Sequence, residues 1–194
     1  MTVGEAKSCE RPTPRGRSRR TQEIVAAARA ILEVHGTDGL TMRRLADSLG
    51  IRAPSLYKHL AGRDALEVAL VEVGLDEMGG VLHDSVVGPA AGRIGCLLDA
   101  YRAIGAAHPN LYRLITSRSF PRDELLPGLE AWAGEPFFIA TGDPHRAQAL
   151  WAFAHGTLTL ELDHRFLAGS DPVRTWRAGR DAFVAATASG MTVC

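Results

Sequence analysis

The chain has 194 residues, of which 46% are hydrophobic and 23% charged, a composition typical of a globular protein and not of a disordered one. Its apolar runs are interrupted well before the roughly 18 residues that a membrane span needs, and its arginine-rich start lacks the apolar stretch of a secretory signal. We therefore expect a cytoplasmic protein that does not contact a membrane.

The formal net charge is zero, but the charges are unevenly distributed along the chain. Residues 1–63 carry twelve Lys/Arg and six Asp/Glu, a net charge of +6, while the remaining residues carry ten and sixteen, a net charge of −6. Such asymmetry is typical of a protein that touches a polyanion at one end only.

The chain begins with a segment that lacks the pattern of a helix. Residues 1–18 combine proline, glycine and arginine without apolar periodicity, so we predict a basic, mobile tail. Apolar residues then recur at spacings of three and four over 19–35, which predicts the first helix. Gly36 stands where a helix C-terminal cap belongs.

Two short helices are predicted next. The first spans 42–49, with Thr41 as its N-cap. The second spans 53–60, with Pro54 in the first turn, where its missing N–H costs little. Gly50 between them can adopt the left-handed backbone of a tight turn.

Helical spacing continues to the end of the chain, and no stretch predicts a strand. The helix that follows Arg63 is expected to bend or break at the pair Gly79-Gly80. Prolines and glycines separate the other predicted helices. The six further predicted helices span 63–86, 90–107, 109–117, 122–135, 143–167 and 172–188.

The two short helices satisfy the demands of a helix-turn-helix unit. Ala46 is small where the helices approach, and Ile51, Leu56 and Leu60 can hold the second short helix against its neighbours. The remaining side chains would face outward and suit the phosphates and base edges of a major groove. This outward set comprises Arg52, Ala53, Pro54, Ser55, Tyr57, Lys58 and His59, with Arg43 added from the preceding helix.

Helical spacing alone leaves a plainer interpretation open. The same residues could form a small helical hairpin with a solvated basic face. His59 fits a role in capping or supporting the helix as well as it fits contact with DNA.

The stretch LTMRRLADSLGIRAPSLYKHLAGRDAL, residues 40–66, resembles the N-terminal signature of the TetR family of transcriptional regulators. The resemblance extends over roughly residues 19–70. It implies DNA contacts at every position of the outward set except Arg52, and it adds Thr41 and Arg63 as contacts to backbone phosphates. Leu60 departs from the pattern, which more often has Phe at this position.

The resemblance also implies an architecture. We expect an all-α protein of about nine helices. Residues 19–66 would form a three-helix DNA-binding domain, and residues 67–194 a helical domain for ligand binding and dimerisation.

A second, shorter resemblance lies near the C-terminus. WAFAHGTLTLEL, residues 151–162, is similar to the Trp-x-x-x-His-Gly stretch of one group of TetR-type C-terminal domains. By analogy with the family, the last two predicted helices would pair with their copies in a second chain. An apolar stripe at helical spacing supports this interface: Ala147, Leu150, Ala154, Leu158 and Leu162. The alternative is that this stripe is buried within one monomer.

A small-molecule pocket in the second domain also follows from the resemblance. The candidate lining residues are Leu75, Met78, Leu97, Tyr101, Leu111, Trp132, Phe137, Trp151, Phe153 and His155. They suggest an apolar or aromatic ligand with one or two polar handles. Each also fits an ordinary core position, and His155 fits a hydrogen-bonded core histidine.

An enzyme is disfavoured by the sequence. No Ser or Cys stands in a nucleophile motif, and the nine-residue separation of His155 and His164 puts them on opposite faces of a helix. We predict no catalytic residue, no metal ligand and no cofactor.

These observations predict a TetR-type regulator that binds a pseudo-palindromic operator in double-stranded DNA as a homodimer. Repression that a small molecule relieves is the expected mode, and activation remains open. The competing hypothesis is a dimeric ligand-binding or scaffold protein that has lost DNA recognition.

Overall fold

The chain folds into α-helices. The computed structural model describes residues 9–117 and 119–189, and these contain nine α-helices and no β-strand. The prediction of an all-α protein is therefore confirmed. The α-helices are α1 (Arg19–Gly39), α2 (Met42–Ser48), α3 (Ala53–Leu56), α4 (Arg63–Ser85), α5 (Ala90–Ala107), α6 (Pro109–Thr116), α7 (Leu129–Thr141), α8 (Pro144–Leu162) and α9 (Pro172–Ser189).

The turn between α2 and α3 follows from its sequence. The Thr41 hydroxyl accepts a hydrogen bond from a first-turn N–H and caps α2. Gly50 has a φ of +63°, and its N–H donates to the Asp47 carbonyl, while the Ile51 N–H donates to the Ala46 carbonyl. This pair of bonds is the Schellman motif, which ends a helix and redirects the chain.

Two helix ends in this unit differ from the prediction. Gly36, predicted to end the first helix, has a φ of +67° and kinks α1, which continues to Gly39. The third helix, predicted over 53–60, is a single turn, Ala53–Leu56. The chain then tightens, since the His59 N–H donates to the Leu56 carbonyl three residues earlier at 2.9 Å.

α4 is one uninterrupted helix, so the predicted bend at Gly79-Gly80 is wrong. Its glycines have a packing role instead. A Cβ at Gly74 would lie 2.7 Å from Cδ1 of Ile115 on α6, and one at Gly79 would overlap the indole of Trp132 on α7. The missing side chains therefore let α6 and α7 lie close against α4.

The prediction of a helix over 122–135 is also wrong. Arg122–Glu124 form a 3₁₀ turn, and α7 begins at Leu129 and continues through Pro136. Pro136 has no N–H to donate to the Trp132 carbonyl, four residues earlier. Nε2 of His83 on α4 lies 2.9 Å from that carbonyl oxygen and replaces the lost donor. A partner on another helix thus allows the proline inside α7.

α8 is shorter than the predicted 143–167. It starts after the N-cap Asp143, whose carboxylate accepts a hydrogen bond from a first-turn N–H, and it ends at Leu162. The chain then turns through His164 and Gly169, both with positive φ. α9 agrees closely with the helix predicted over 172–188.

The described part of the predicted mobile tail is not free. Residues 1–8 and residue 118 lie outside the described residues, but residues 9–17 lie outside any helix and against α4 and α7. Ion pairs from Arg11 to Asp76 and from Arg17 to Glu72 hold this segment to α4.

Two apolar cores lie along α4. One is built from α1 to α3, the first half of α4, α6 and the start of α7. The other is built from the second half of α4, α5, the end of α7, α8 and α9. α4 therefore links the helix-turn-helix unit to the rest of the protein.

The two neighbouring glycines of α4 give a matched test of this packing. Gly79→Ala should lower the free energy of unfolding by about 1–3 kcal/mol, because its methyl group displaces the Trp132 ring. Gly80→Ala should leave it unchanged or raise it by up to about 1 kcal/mol, because nothing lies within 4 Å of the added Cβ. Urea unfolding measures both, and equal effects would contradict the close approach of α7.

Candidate nucleic-acid interface and ligand cavity

The residues around α3 separate into a buried side and an exposed side. Leu56 and Leu60 are buried in the core beneath α3. Tyr57 is 55% exposed, and Lys58 and His59 beside it are also exposed. The tight turn after α3 thus presents three polar side chains together at the surface.

The other members of the outward set contribute to the same surface in part. Arg52 and Pro54 are exposed, while Ala53 and Ser55 are half-buried. Arg43 is exposed near the start of α2. The set therefore forms one surface, although two of its members show only part of their side chains.

Two of the predicted phosphate contacts are engaged within the protein. The Thr41 hydroxyl caps α2. Nε of Arg63 donates to the Glu67 carboxylate at 2.7 Å, and its Nη2 donates to the Thr37 carbonyl at 3.0 Å. Arg63 thus joins the start of α4 to the end of α1.

The remaining cations of this surface are available for other contacts. The side chains of Arg43, Arg52 and Lys58 have no ion pair or hydrogen bond to any residue that the structure describes. Exposed cations without intramolecular partners are suited to contact phosphates or the guanine edge.

A cavity of about 810 Å³ lies between α4, α5, α6, α7 and α8. Six of the predicted ligand residues line it: Leu75, Met78, Tyr101, Phe137, Trp151 and His155. Apolar side chains from α4 and α7 supply much of the wall. Such a cavity suits a small molecule of drug-like size.

Four predicted ligand residues lie elsewhere, which corrects the prediction. Leu97 is fully buried in the core between α5 and its neighbours, and Leu111 packs between α6 and α4. Trp132 stacks on the His83 ring, with 4.9 Å between ring centroids. Phe153 faces α9, where it packs edge-on against Trp176.

The sequence reasoning missed the polar residues of the cavity. Tyr112 and Thr116 come from α6, Arg122 from the 3₁₀ turn, and Glu130 and Gln148 from α7 and α8. α6 has a strongly one-sided apolar pattern, but that pattern cannot show which neighbour leaves space beside it. No pattern in the sequence identifies the residues from the turn.

Three polar groups form a chain along the cavity wall. The Tyr112 hydroxyl lies 2.6 Å from Nδ1 of His155 and 3.1 Å from the Tyr101 hydroxyl. Burial lowers the pKa of His155, which favours a neutral ring at pH 7. A neutral ring with its proton on Nε2 accepts from Tyr112, whose oxygen then accepts from Tyr101.

The tyrosines are held in their protonated form. Burial raises the pKa of Tyr101 well above its usual value and raises that of Tyr112. The indole of Trp151 stacks on the His155 ring at 5.7 Å and is 48% exposed. The wall therefore offers aromatic faces beside neutral hydrogen-bonding groups.

Arg122 and Glu130 supply the charges of the cavity, and they neutralise each other. The Arg122 guanidinium pairs with the Glu130 carboxylate and donates to the carbonyls of Ile115 and Ser117. This arginine therefore joins the end of α6 to the start of α7.

The stripe predicted as a dimer interface is buried within the chain. Ala147, Leu150, Ala154 and Leu158 are at most 9% exposed, and Leu162 packs against the same core. Residues already buried in this way cannot contact a second chain, so this prediction is corrected. The opposite face of α8 is open and carries Ala149, Ala152, Gly156 and Leu160.

The described residues contain no group of three or more His, Cys, Asp or Glu side chains that could hold a metal ion. Cys9 and Cys96 are free thiols, and Cys194 lies outside the described residues. Within that same part of the chain, no helix is both long enough and apolar enough to cross a bilayer.

The fold and this surface define an all-α helix-turn-helix protein with a helical second domain around a cavity. Residues 24–70 match the family described as "Bacterial regulatory proteins, tetR family". This part of the chain is therefore a DNA-binding domain of the type found in TetR family transcriptional regulators. The relatives that the chain matches are regulators and not enzymes, in agreement with the expectation for this chain.

Two relatives differ in how much of the chain they match. The tetracycline repressor class A of transposon 1721 from Escherichia coli is 44% identical over 54 residues, 28% of this chain and 25% of that protein. The chain thus matches about a quarter of that repressor's length. The uncharacterised regulator Rv0681 of Mycobacterium tuberculosis is 28% identical over 80% of this chain and 74% of its own length.

A solved structure extends the likeness of fold to the second domain. ActR, a TetR family protein of Streptomyces coelicolor, in complex with (S)-DNPA, has a TM-score of 0.64 and 22% identity. The match covers 88% of this chain and 97% of that chain. At this identity the likeness shows the fold alone.

The lowered pKa of His155 predicts how stability depends on pH. The unfolded chain binds the proton with a pKa near 6.5, and the folded chain binds it only at lower pH. The free energy of unfolding should therefore rise with pH up to about 6.5 and decrease as the pH is lowered from that value. His155→Gln should weaken this dependence. Urea unfolding at several pH values measures it, and an identical pH profile for the variant would contradict the prediction.

Proposed function

We propose that the chain is a repressor that binds a pseudo-palindromic operator as a homodimer and leaves it when a small molecule enters the cavity. The observation that carries this proposal is the exposed surface of Arg43, Arg52, Tyr57, Lys58 and His59. It lies on a helix-turn-helix unit that α4 joins to a cavity. We assign residues 19–66 to DNA binding, residues 67–194 to ligand binding and dimerisation, and the protein to the cytoplasm.

The DNA interface would combine phosphate and base contacts. Lys58, His59 and Arg52 suit phosphates, and Arg43 suits the O6 and N7 atoms of a guanine. Tyr57 suits a thymine methyl group or a phosphate. Ala53, Pro54 and Ser55 would lie closest to the groove floor. Thr41 and Arg63 would act mainly by fixing α2 and α4, because their polar groups already have partners.

A dimer is needed to bring two such heads onto one operator. Two heads about 34–36 Å apart reach successive major grooves on one face of the duplex. The open face of α8 carries the small residues Ala149, Ala152 and Gly156, which permit close helix approach. α9 adds exposed Ala178 and Val184. We assign the interface to these two faces, in place of the buried stripe.

The cavity supports a planar aromatic ligand with neutral hydrogen-bonding groups. The rings of Trp151, His155, Tyr101 and Phe137 supply faces and edges for stacking. The hydroxyl and imidazole groups of the wall supply hydrogen bonds without net charge. The complex of the similarly folded ActR with (S)-DNPA supports the assignment of a small-molecule ligand.

Two helices could carry a change from the cavity to the DNA-binding unit. α4 places Leu75 and Met78 at the cavity and holds α1 through Arg63. α6 lines the cavity with Tyr112, and its first N–H groups are bound by Glu33 of α1. A ligand needs only to favour a head spacing that misfits the operator by a few kcal/mol.

The DNA surface is tested by single substitutions. Lys58→Ala should weaken binding to an operator fragment by about tenfold and lower the slope of log affinity against log salt by about one unit. Tyr57→Ala should weaken binding without a change in salt slope. Fragments selected from genomic DNA by the wild-type chain, with fluorescence anisotropy at several salt concentrations, provide the measurement.

The control for these variants is Arg113→Ala, an exposed arginine on α6 that pairs with Asp163. It should bind DNA as the wild type does. Selection of no fragment by the wild-type chain would instead favour a dimeric ligand-binding or scaffold protein. Repeating the selection with planar aromatic compounds identifies ligands that release the fragments.

The dimer face is tested by adding charge to it. Ala152→Glu should convert the dimer to a monomer, because two copies of the new carboxylate would be buried close to the symmetry axis. Ala103→Glu, at an equally exposed alanine of α5, should leave the dimer intact. Analytical ultracentrifugation gives the masses, and an Ala152→Glu dimer of wild-type stability would refute this assignment.

A further inference from the structure

Residues 9–17, here called the strap, are fixed to the second domain at one end by two contacts. The Cys9 N–H donates to the Glu135 carboxylate on α7 at 2.7 Å. Arg11 donates from Nε and Nη2 to the two oxygens of Asp76 at 2.9 and 2.7 Å. Its guanidinium also lies 5.1 Å from the centroid of the Trp132 ring. A two-bond ion pair with a stacked ring is among the stronger polar contacts of a surface.

The other end of the strap is fixed by a buried carboxylate. Glu72 of α4 is 6% exposed and pairs with both Arg15 and Arg17. The same carboxylate accepts a hydrogen bond from the Leu126 N–H at 2.8 Å. Nη2 of Arg15 also donates to the Glu124 carbonyl at 2.6 Å. A buried carboxylate needs such partners, so Glu72 holds the strap and the chain before α7 together.

The segment 122–135 therefore lies between the cavity and the strap. Arg122, Glu130 and Ala133 line the cavity. Trp132 and Glu135, on the same segment, contact the strap. A displacement of this cavity wall must alter the anchors of the strap.

The strap leads directly into the DNA-binding unit. The hydroxyl oxygen of Ser18, the next residue, accepts a hydrogen bond from the Thr21 N–H and caps α1. The Gln22 side chain donates to the Arg17 carbonyl at 3.1 Å. Only Ser18 thus separates Arg17, the last anchor of the strap, from the first residue of α1.

We propose that the strap is a coupling element that ties the 122–135 wall of the cavity to the start of α1. It acts beside the α4 and α6 connections, and its effect on DNA binding rests on the proposed function. Its three arginines are paired with the carboxylates of Asp76 and Glu72, so the docked strap does not present them to DNA. While the strap is docked, a change at the DNA-binding heads has a larger effect on the 122–135 wall of the cavity.

A charge exchange in the full-length chain tests the proposal. Arg11→Asp and Asp76→Arg each place like charges together and should release the strap, and the double variant should restore it. Trypsin cleaves after Arg15 and Arg17 only when these side chains leave Glu72. Cleavage there, followed by intact mass, should be about tenfold faster in each single variant and return to the wild-type rate in the double variant.

The coupling is read by hydrogen exchange over residues 122–135, with and without an operator duplex selected by the wild-type chain. The duplex should change exchange there in the wild type and in the double variant, and it should change exchange less in Arg11→Asp, because coupling between sites is reciprocal. Arg113→Asp breaks the exposed pair with Asp163 away from the strap and should behave as the wild type.

Each other outcome overturns the proposal. Rapid cleavage after Arg15 in the wild type would show that the strap is free. If the duplex changed hydrogen exchange at 122–135 equally in all variants, the strap would be docked without coupling the two sites. Weaker DNA binding by Arg11→Asp that the double variant does not restore would show that Arg11 contacts DNA. Failure of the wild type to select any duplex would refute the proposed function, while the cleavage rates would still test strap docking.

Discussion

The close approach of α6 and α7 to α4 is the constraint on which the rest of the structure depends. It requires that Gly74 and Gly79 have no side chains, since Ile115 and Trp132 occupy the space where a Cβ would stand. With both neighbours held at this distance, the far half of α4 forms one wall of the cavity. Its near half packs on the helix-turn-helix unit. A single uninterrupted helix thus belongs to both cores, and a shift of one core is expected to move the other.

The sequence predicted those parts of the fold that local pattern decides. Caps and apolar spacing were sufficient to predict where α2, α5, α6 and α9 begin and end, to within two residues. The failures share a different cause. Gly79 was interpreted as a break because glycine lowers helix propensity, but its role depends on Trp132, 53 residues later in the sequence. Pro136 likewise stays inside α7 because a histidine on another helix binds the carbonyl that proline leaves unpaired. Propensity was overridden in both cases by a tertiary partner that the sequence does not identify.

Prediction of the candidate site from the sequence was limited in the same way, because it depends on tertiary packing. Aromatic residues at helical spacing predict burial, and both Trp132 and Phe137 are buried, but only Phe137 borders the cavity. What separates them is the direction each side chain takes from α7, which depends on how that helix is rotated against α4. The stripe on α8 was subject to the same ambiguity. An apolar stripe shows which face is buried, but it cannot show whether the same chain or a second one buries it.

The charge asymmetry of the sequence has two distinct uses in the folded chain. Arg11, Arg15 and Arg17 contribute to the basic excess of the first 63 residues, yet they are paired with two acids of α4. Arg29 of α1 likewise pairs with Glu77 of α4. The cations left for a polyanion are therefore the few around α2 and α3, and net charge overstates the strength of that surface. The acidic excess that follows residue 63 is in part the partner of the basic segment, so the paired arginines hold that end of the chain to the cavity domain.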